Sequence, residues 1–404
     1  MARLMWHSCA PWSASLKCGY GTQTAIWTRK LKEMGHEVLI SNFWGLHGCS
    51  LEWNGIPVLP AFGGSYCTPS LAQHAKHADP DLIICLGDIW PMDPSLMAGL
   101  PLAHWLPSDC RPMSMADREK AEAAGPQLIA MSRFGEARFR AAGFRDVRYV
   151  PHGIDLEAFR PPEDRDALRK AAGLDGAFVV GANMANNDAI RKALPEIMLA
   201  FARFHSDHPD ALLALHTGVH QDGGQDLEAI AENLGITDRC KVVDQYRYTS
   251  GFVTEEDLRG WYGTVDVLCA ASYAEGFGLP IVEAQAVGCP VITTACSSME
   301  ELNPLGISVD GSPFWNGVHR AWWVRPDVRG LYEAFCLAYE NRDSVDRGKL
   351  REFAAGNYEV GHVAETYMKP VVDELLEVMA QRRGKRPELQ EAGADADNAA
   401  VEAG

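Results

Sequence analysis

The sequence has no long apolar run, no paired-cysteine pattern and no basic excess, and each absence removes a class of function. No apolar run approaches the ~20 residues that cross a bilayer, so stable membrane insertion is not expected. The first residues, MARLMWHSCAPW, lack the continuous apolar core of a signal peptide, which points to a cytoplasmic location. The 11 cysteines are odd in number and scattered, with no C-x-x-C pair. That pattern disfavours a disulfide framework and a cysteine-bound zinc, and fits small buried hydrophobes in a reducing compartment. No H-x-x-x-H pair falls in a helical stretch, and the D-x-D strings Asp164-Arg165-Asp166 and Asp395-Ala396-Asp397 lie in a linker and a tail; no metal is expected. A dinucleotide site is also missing. Gly19-Tyr20-Gly21 is followed by Thr24 instead of a third glycine, and the second strand ends in Ser41-Asn42 instead of an acid. No resident cofactor is therefore expected.

The net charge of −17 is uneven. Residues 1–153 hold 14 basic and 13 acidic side chains, and the remainder holds 23 against 41. The acidity disfavours long-range attraction to nucleic acid or anionic membrane, except in the first half.

What the sequence does have is alternation. Apolar runs at Arg3–Trp6, Glu37–Ser41, Ile56–Leu59, Leu82–Leu86, Leu102–Leu106, Leu128–Met131 and Val147–Val150 read as strands. Helices at Thr22–Met34 and Phe134–Ala142 close on Gly35 and Gly143. The pattern breaks at Pro161-Pro162 and restarts with strands at Phe178–Gly181, Ala211–His216, Lys241–Val243, Val267–Ala270 and Pro290–Thr294. Helices at Arg191–Phe204, Leu227–Leu234 and Ile281–Val287 lie between them. Strand–helix alternation predicts two α/β, doubly wound parallel-sheet domains facing each other across a cleft. The expected layout is residues 1–160, a linker at 161–175, a second domain at 176–358 and a last helix at 359–380. An acidic tail at 381–404 is expected to be disordered.

The segment Glu275-Gly276-Phe277-Gly278-Leu279-Pro280-Ile281-Val282-Glu283 is the richest in chemistry. A strand ends before it, and Pro280 suits the first turn of a helix. The glycines let backbone amides approach a ligand, and a helix start favours phosphate. Glu275 on the loop and Glu283 in the first helical turn could each accept two hydrogen bonds from a vicinal diol. The plainer alternative leaves Glu275 solvated and Glu283 complementing the helix dipole.

This segment, with Asp266-Val267-Leu268 before it and Glu283-Ala284-Gln285-Ala286-Val287-Gly288-Cys289-Pro290 after it, resembles the signature of the GT4 family of retaining glycosyltransferases, which have the GT-B fold. Val150-Pro151-His152-Gly153-Ile154-Asp155, Arg191-Lys192, His216-Thr217 and Met299-Glu300-Glu301-Leu302 are similar to further family features. His7-Ser8, Ala10-Pro11-Trp12 and Gly19-Tyr20-Gly21 resemble a bacterial and phage-borne branch, so the cytoplasm would be that of a bacterium or of a phage's host.

The resemblance implies a nucleotide-diphosphate sugar as donor, with UDP or GDP as the nucleotide, and an acceptor that could be a glycan, lipid, protein or modified nucleic acid. Glu283 would hold the ribose diol and Glu275 the transferred sugar. Gly276, Phe277, Gly278 and Leu279 would offer amides, and Arg191 and Lys192 would neutralise the departing diphosphate. A solvated helix start is the plainer reading of Arg191-Lys192. Gly19, Tyr20 and Gly21 would face the diphosphate across the cleft. The chain departs from the family twice. Asn183 stands where many members have an Arg, and the segment His104-Trp105-Leu106-Pro107-Ser108-Asp109-Cys110 lacks a clear counterpart of the usual His. Asp109 is the candidate there, with Asp88 and His104 as possible acceptor-side groups. A lone strand histidine such as His104 is commonly core. The basic run Arg133, Arg138, Arg140, Arg145 and Arg148 could attract an anionic acceptor or form a solvated helix face. Two rival functions stay open: a sugar-nucleotide epimerase of the same fold, and a non-catalytic nucleotide- or sugar-binding scaffold.

Overall fold

The computed structural model describes residues 1–12, 18–64, 66 and 68–384. Two sheets form its frame. The first runs β3(Leu51–Trp53)-β4(Ile56–Leu59)-β2(Glu37–Trp44)-β1(Arg3–Cys9)-β5(Leu82–Leu86)-β6(Leu102–Leu106)-β7(Gln127–Ala130)-β8(Val147–Tyr149). All its neighbours pair in parallel except β3 with β4. The second runs β11(Cys240–Val242)-β10(Ala211–His216)-β9(Phe178–Asn183)-β12(Val267–Cys269)-β13(Val291–Thr294)-β14(Ile307–Val309), parallel throughout. Strands β5 and β6 are buried along their whole length because helices cover both faces.

Strand order reverses beside β1 in the first sheet and beside β9 in the second. Open α/β sheets bind ligands at such switch points, beyond the carboxyl ends of the strands. Asp88 follows β5, Asn183 ends β9, and Glu275 follows β12; all three stand at these positions.

The two sheets share packing. One apolar cluster runs from Trp6, Trp27 and Trp105 through Ile154 to Phe277, Ile281, Tyr358 and Met368. Rings step across the contact: Trp105 to His152 at 4.7 Å, His152 to Phe277 at 5.0 Å, Phe277 to Tyr358 at 5.7 Å. Each buried indole N–H finds an acceptor, as buried tryptophans need: Trp6 donates to Thr24 Oγ1 (3.0 Å) and Trp105 to the Val150 carbonyl (2.9 Å). The chain returns at its far end to the first sheet's body. Arg148 pairs with Glu374 at 2.8 Å, and Arg383 with Asp79 at 3.0 Å.

Several expectations need correction. The helix expected from Arg191 starts at Leu194, because Ala193 takes a left-handed backbone (φ 51°) that breaks the spiral. The helix expected from Thr22 starts at Gly19. Leu279, not Ile281, opens the signature helix, so Glu283 lies in its second turn and no acid stands in the first. The last helix contains a π segment at Ala364–Met368 and runs to Gly384, so residues 381–384 are helical; the rest of the expected tail, 385–404, lies outside the described residues. An antiparallel hairpin, β15(Gly311–Asn316) and β16(Ala321–Pro326), was not legible in the alternation.

Candidate functional site

The Glu275–Glu283 segment closes against the first domain. Gly276 faces Pro107 so tightly that a Cβ there would lie 2.5 Å from Pro107 Cβ. Gly278 adopts φ 117°, a conformation L side chains rarely reach, and it is the N-cap of the helix Leu279–Val287. That helix has no side-chain cap. Neither does Gly19–Glu33, whose N-cap is Cys18, nor Leu194–Asp207, whose N-cap is Ala193. By contrast Ser114, Ser132, Asp164, Asp226, Asp244, Thr254, Asp327 and Asp346 each cap a helix with their own side chain. Gly19 and Leu279 meet across the cleft, where a Cβ on Gly19 would touch Leu279 Cδ1 at 3.4 Å. Helix starts without side-chain caps thus come together here, as an anion site requires.

The charges converge on the same place. Arg191 Nη1 lies 3.0 Å from Glu275 Oε2, and Lys192 Nζ pairs with Glu275 Oε1. Ser272 Oγ donates to Glu275 Oε1 (2.6 Å), and Ser297 Oγ accepts from the Glu275 amide (3.1 Å). Burial pushes the Glu275 carboxyl up, but Lys192 and Arg191 outweigh it and hold the group at about 2. Burial and then Arg191 pull the Lys192 ammonium down. Burial would lower the Arg191 guanidinium, but Glu275 first, then Asp109, Asp188 and Asp88, raise it. The Tyr273 amide donates to the Arg191 carbonyl (2.7 Å), which ties this loop to the strand end carrying Glu275.

Glu283 is 7% exposed and accepts from Tyr262 Oη (2.8 Å). Asn183 Nδ2 donates to the same phenol (2.6 Å), and Asn183 Oδ1 lies 3.1 Å from His216 Nδ1. Asn183 therefore orients Tyr262 and Glu283, and it carries no charge to replace that of a phosphate-binding Arg. Phe277 turns its ring inward between His152 and Tyr358. Ser298 Oγ donates to the Glu275 carbonyl (2.9 Å) and to that of Phe277, fixing the turn.

On the opposite wall, Tyr66 Oη donates to Asp88 Oδ2 at 2.7 Å and Tyr20 Oη donates at 3.2 Å. Burial raises the Asp88 carboxyl above its ordinary range, the Tyr66 hydrogen bond opposes this, and the charge of Asp109 adds to it. Asp109 accepts from Cys110 Sγ at 3.0 Å. Gly19, Tyr20 and Gly21 form the first turn of their helix. His104 is fully buried, with Nε2 on the Gly87 carbonyl (2.8 Å), and burial lowers it to about 4. It supports the turn before Asp88 and does not open into the cleft. The basic run is dispersed: Arg133 and Arg140 pair with Glu136, Arg148 with Glu374, and Arg133 lies over the Tyr149 ring at 3.6 Å. Tyr262, Tyr66, Ser272, Ser297 and Ser298 carried no signal in the sequence. They are single polar residues, and all but Ser272 lie more than 20 residues along the chain from the groups they serve.

Two domain-spanning contacts complete the cleft. Both Glu301 carboxylate oxygens accept from the Arg133 amide (2.9 and 3.0 Å), so a residue of the second domain sits on a helix start of the first. The hairpin β15–β16 reaches over as well: the Arg111 amide donates to the Trp322 carbonyl (3.1 Å) and Trp323 Nε1 to Cys110 Sγ (3.2 Å).

The sheets, switch points and cleft define the GT-B fold. Residues 183–308 match the family described as "Glycosyl transferases group 1", so the resemblance read from the Glu275–Glu283 segment is borne out in the second domain. Over 217 residues the chain is 30% identical to a D-inositol 3-phosphate glycosyltransferase of Xylanimonas cellulosilytica, 48% of this chain and 47% of that protein. Over 167 residues it is 29% identical to the lipopolysaccharide core biosynthesis mannosyltransferase LpsB of Rhizobium meliloti, 40% of this chain and 45% of that one. The chain spans about half the length of these curated relatives. The sucrose-phosphate synthase structure from Thermosynechococcus elongatus superposes with TM-score 0.74 at 18% identity, covering 94% of this chain and all of that one. The structure of Anabaena HepE in complex with UDP-glucose gives 0.64 at 17%, with 94% and 100% covered. These likenesses extend the fold over both domains. Among the described residues no helix is long and apolar enough to cross a membrane, and no group of three His, Cys, Asp or Glu could hold a metal ion.

Proposed function

We propose that this protein transfers a glycosyl unit from a nucleotide-diphosphate sugar to an acceptor hydroxyl, with retention at the anomeric carbon. The observation that carries the reading is the pairing of Arg191 and Lys192 with Glu275, beside the uncapped helix start at Gly278. A diphosphate entering there gains two cations and a row of amides, and Glu283, held by Tyr262, faces the ribose diol. The Anabaena neighbour's complex with UDP-glucose supports a donor of this class.

In the reaction, the acceptor oxygen bonds to the anomeric carbon as the bond from that carbon to the diphosphate oxygen breaks. The bonding pair leaves with the diphosphate, where Arg191 and Lys192 meet the developing charge. The hydroxyl proton passes to a phosphate oxygen on the same face, so configuration is kept. Glu275 holds hydroxyls of the transferred sugar, and the contact of Gly276 with Pro107 helps exclude water.

The test is to screen UDP-, GDP- and ADP-sugars by thermal shift, then follow nucleotide release and anomeric configuration with an acceptor. A raised melting temperature, acceptor-dependent release and a retained anomer are expected. An epimer formed from donor alone would replace this reading with the epimerase. Donor binding without acceptor-dependent release would replace it with the scaffold.

A further inference from the structure

The wall facing the diphosphate cations is acidic and phenolic. Asp88 takes hydrogen bonds from two tyrosines, and it lies within range of the charges of Asp109 and Arg191. Asp109 follows two residues after Pro107, which abuts Gly276, so it stands at the turn that cradles the donor. A third carboxyl, Asp117, lies within range of both, and burial, then the charges of Asp88 and Asp109, hold it well above the usual carboxylate range, so the charge of this wall rests on Asp88 and Asp109. Asp117 is 9% exposed, and its Oδ1 is buried with no hydrogen-bond partner among the described residues. The hairpin closes this corner: Trp323 donates to Cys110, His319 packs edge-on to Trp90 at 5.9 Å, and Trp90 remains 38% exposed. Carboxylates that only accept, beside a partly exposed indole, suit a ring that donates several hydroxyls and offers an apolar face. They repel an anion, and Arg191 and Lys192 are engaged by Glu275 in the empty cleft and by the diphosphate in the loaded one.

We propose that the acceptor is a polyol carrying no phosphate or carboxylate, a neutral or amino-bearing sugar, bound over Asp88 and Asp109. This rests on the glycosyl-transfer reading above. It also separates this chain from its relative named for D-inositol 3-phosphate: the segment that matches the family, residues 183–308, lies in the donor half, and the acceptor wall selects by charge. Arg111, exposed two residues beyond Asp109, is the cation an anionic acceptor would have to use.

The experiment measures kcat/KM with the full chain for matched acceptors: inositol and inositol 3-phosphate, glucosamine and glucosamine 6-phosphate, methyl glucoside and methyl glucuronide. Nucleotide affinity is measured in parallel by calorimetry. The uncharged or amino member of each pair should win by at least about a hundredfold, since like charges brought together at a binding site are strongly disfavoured. Asp109→Asn should shrink that ratio about tenfold, whatever it does to the absolute rate. Preference for the phosphorylated or carboxylated member, lost in Arg111→Ala, would overturn the acceptor assignment and leave the transfer reading standing. A panel in which no uncharged or amino sugar raises nucleotide release would overturn it too. Absence of nucleotide-sugar binding in calorimetry would remove the transfer reading itself, and this inference with it.

Discussion

The two walls of the cleft are electrical opposites. The second domain presents Arg191, Lys192 and the uncapped helix start at Gly278; the first presents Asp88, Asp109 and two phenols. The first also brings one helix start of its own, at Gly19. Opposite walls can hold a charged leaving group on one side and an uncharged nucleophile on the other.

The largest expected effect comes from breaking the cationic wall. Arg191→Ala should lower kcat by about 10²–10³, the loss seen when one group that stabilises developing charge is removed. Steady-state kinetics under saturating donor checks this, and an unchanged kcat would place the diphosphate elsewhere. Next is Tyr262→Phe. It deletes the phenol that joins Asn183 to Glu283 and leaves a carboxylate that is 7% exposed without that donor. Nucleotide affinity should fall about tenfold to a hundredfold, since hydrogen bonds to charged groups contribute about 1.5–3 kcal/mol. Calorimetry reads the loss.

How much of this was legible in the sequence follows the same division. The Glu275–Glu283 wall could be read because one contiguous peptide supplies strand end, turn, helix start and both carboxylates. On the opposite wall Asp88, Asp109 and Tyr20 could be named as candidates, but the way they meet could not be read. Asp88 meets Tyr66 and Tyr20 from 22 and 68 residues away, and no local pattern records such a meeting. Periodicity placed nine of the twelve expected strands within one residue at each end, since apolar runs buried on both faces leave little freedom. It misplaced the helix after Lys192 because the left-handed turn at Ala193 leaves no hydrophobic trace. It passed over the hairpin, whose aromatic strands lie outside the βα alternation.

Smaller effects sharpen the contact between the walls. Burial raises the Glu301 carboxyl to about 7 against the opposing pull of the Arg133 amide. Freed into solvent it would titrate near 4.5, so the closed form binds the proton more tightly. Closure should strengthen as pH falls from about 7 towards 4.5 and change no further below that. Glu301→Gln should abolish this dependence; small-angle scattering or hydrogen exchange at the Arg133 helix start would follow it. Glu275 behaves oppositely. Its carboxyl is held at about 2, so its contribution to stability is complete above its unfolded value near 4.5. It is lost as pH falls from there through about 2. A urea midpoint compared between wild type and Glu275→Gln should converge at the acid end.

The central claim is that Glu283 grips a ribose diol beside a diphosphate held by Arg191, Lys192 and the helix amides. Calorimetric affinities for UDP or GDP, and for the matching 2′-deoxy nucleotide, test it in wild type and in Glu283→Ala. The wild type should bind the ribonucleotide at least about tenfold more tightly than its deoxy partner, the worth of one charge-assisted hydrogen bond. The variant should bind both equally weakly. Equal affinities in the wild type, or an undiminished preference in the variant, would contradict the account.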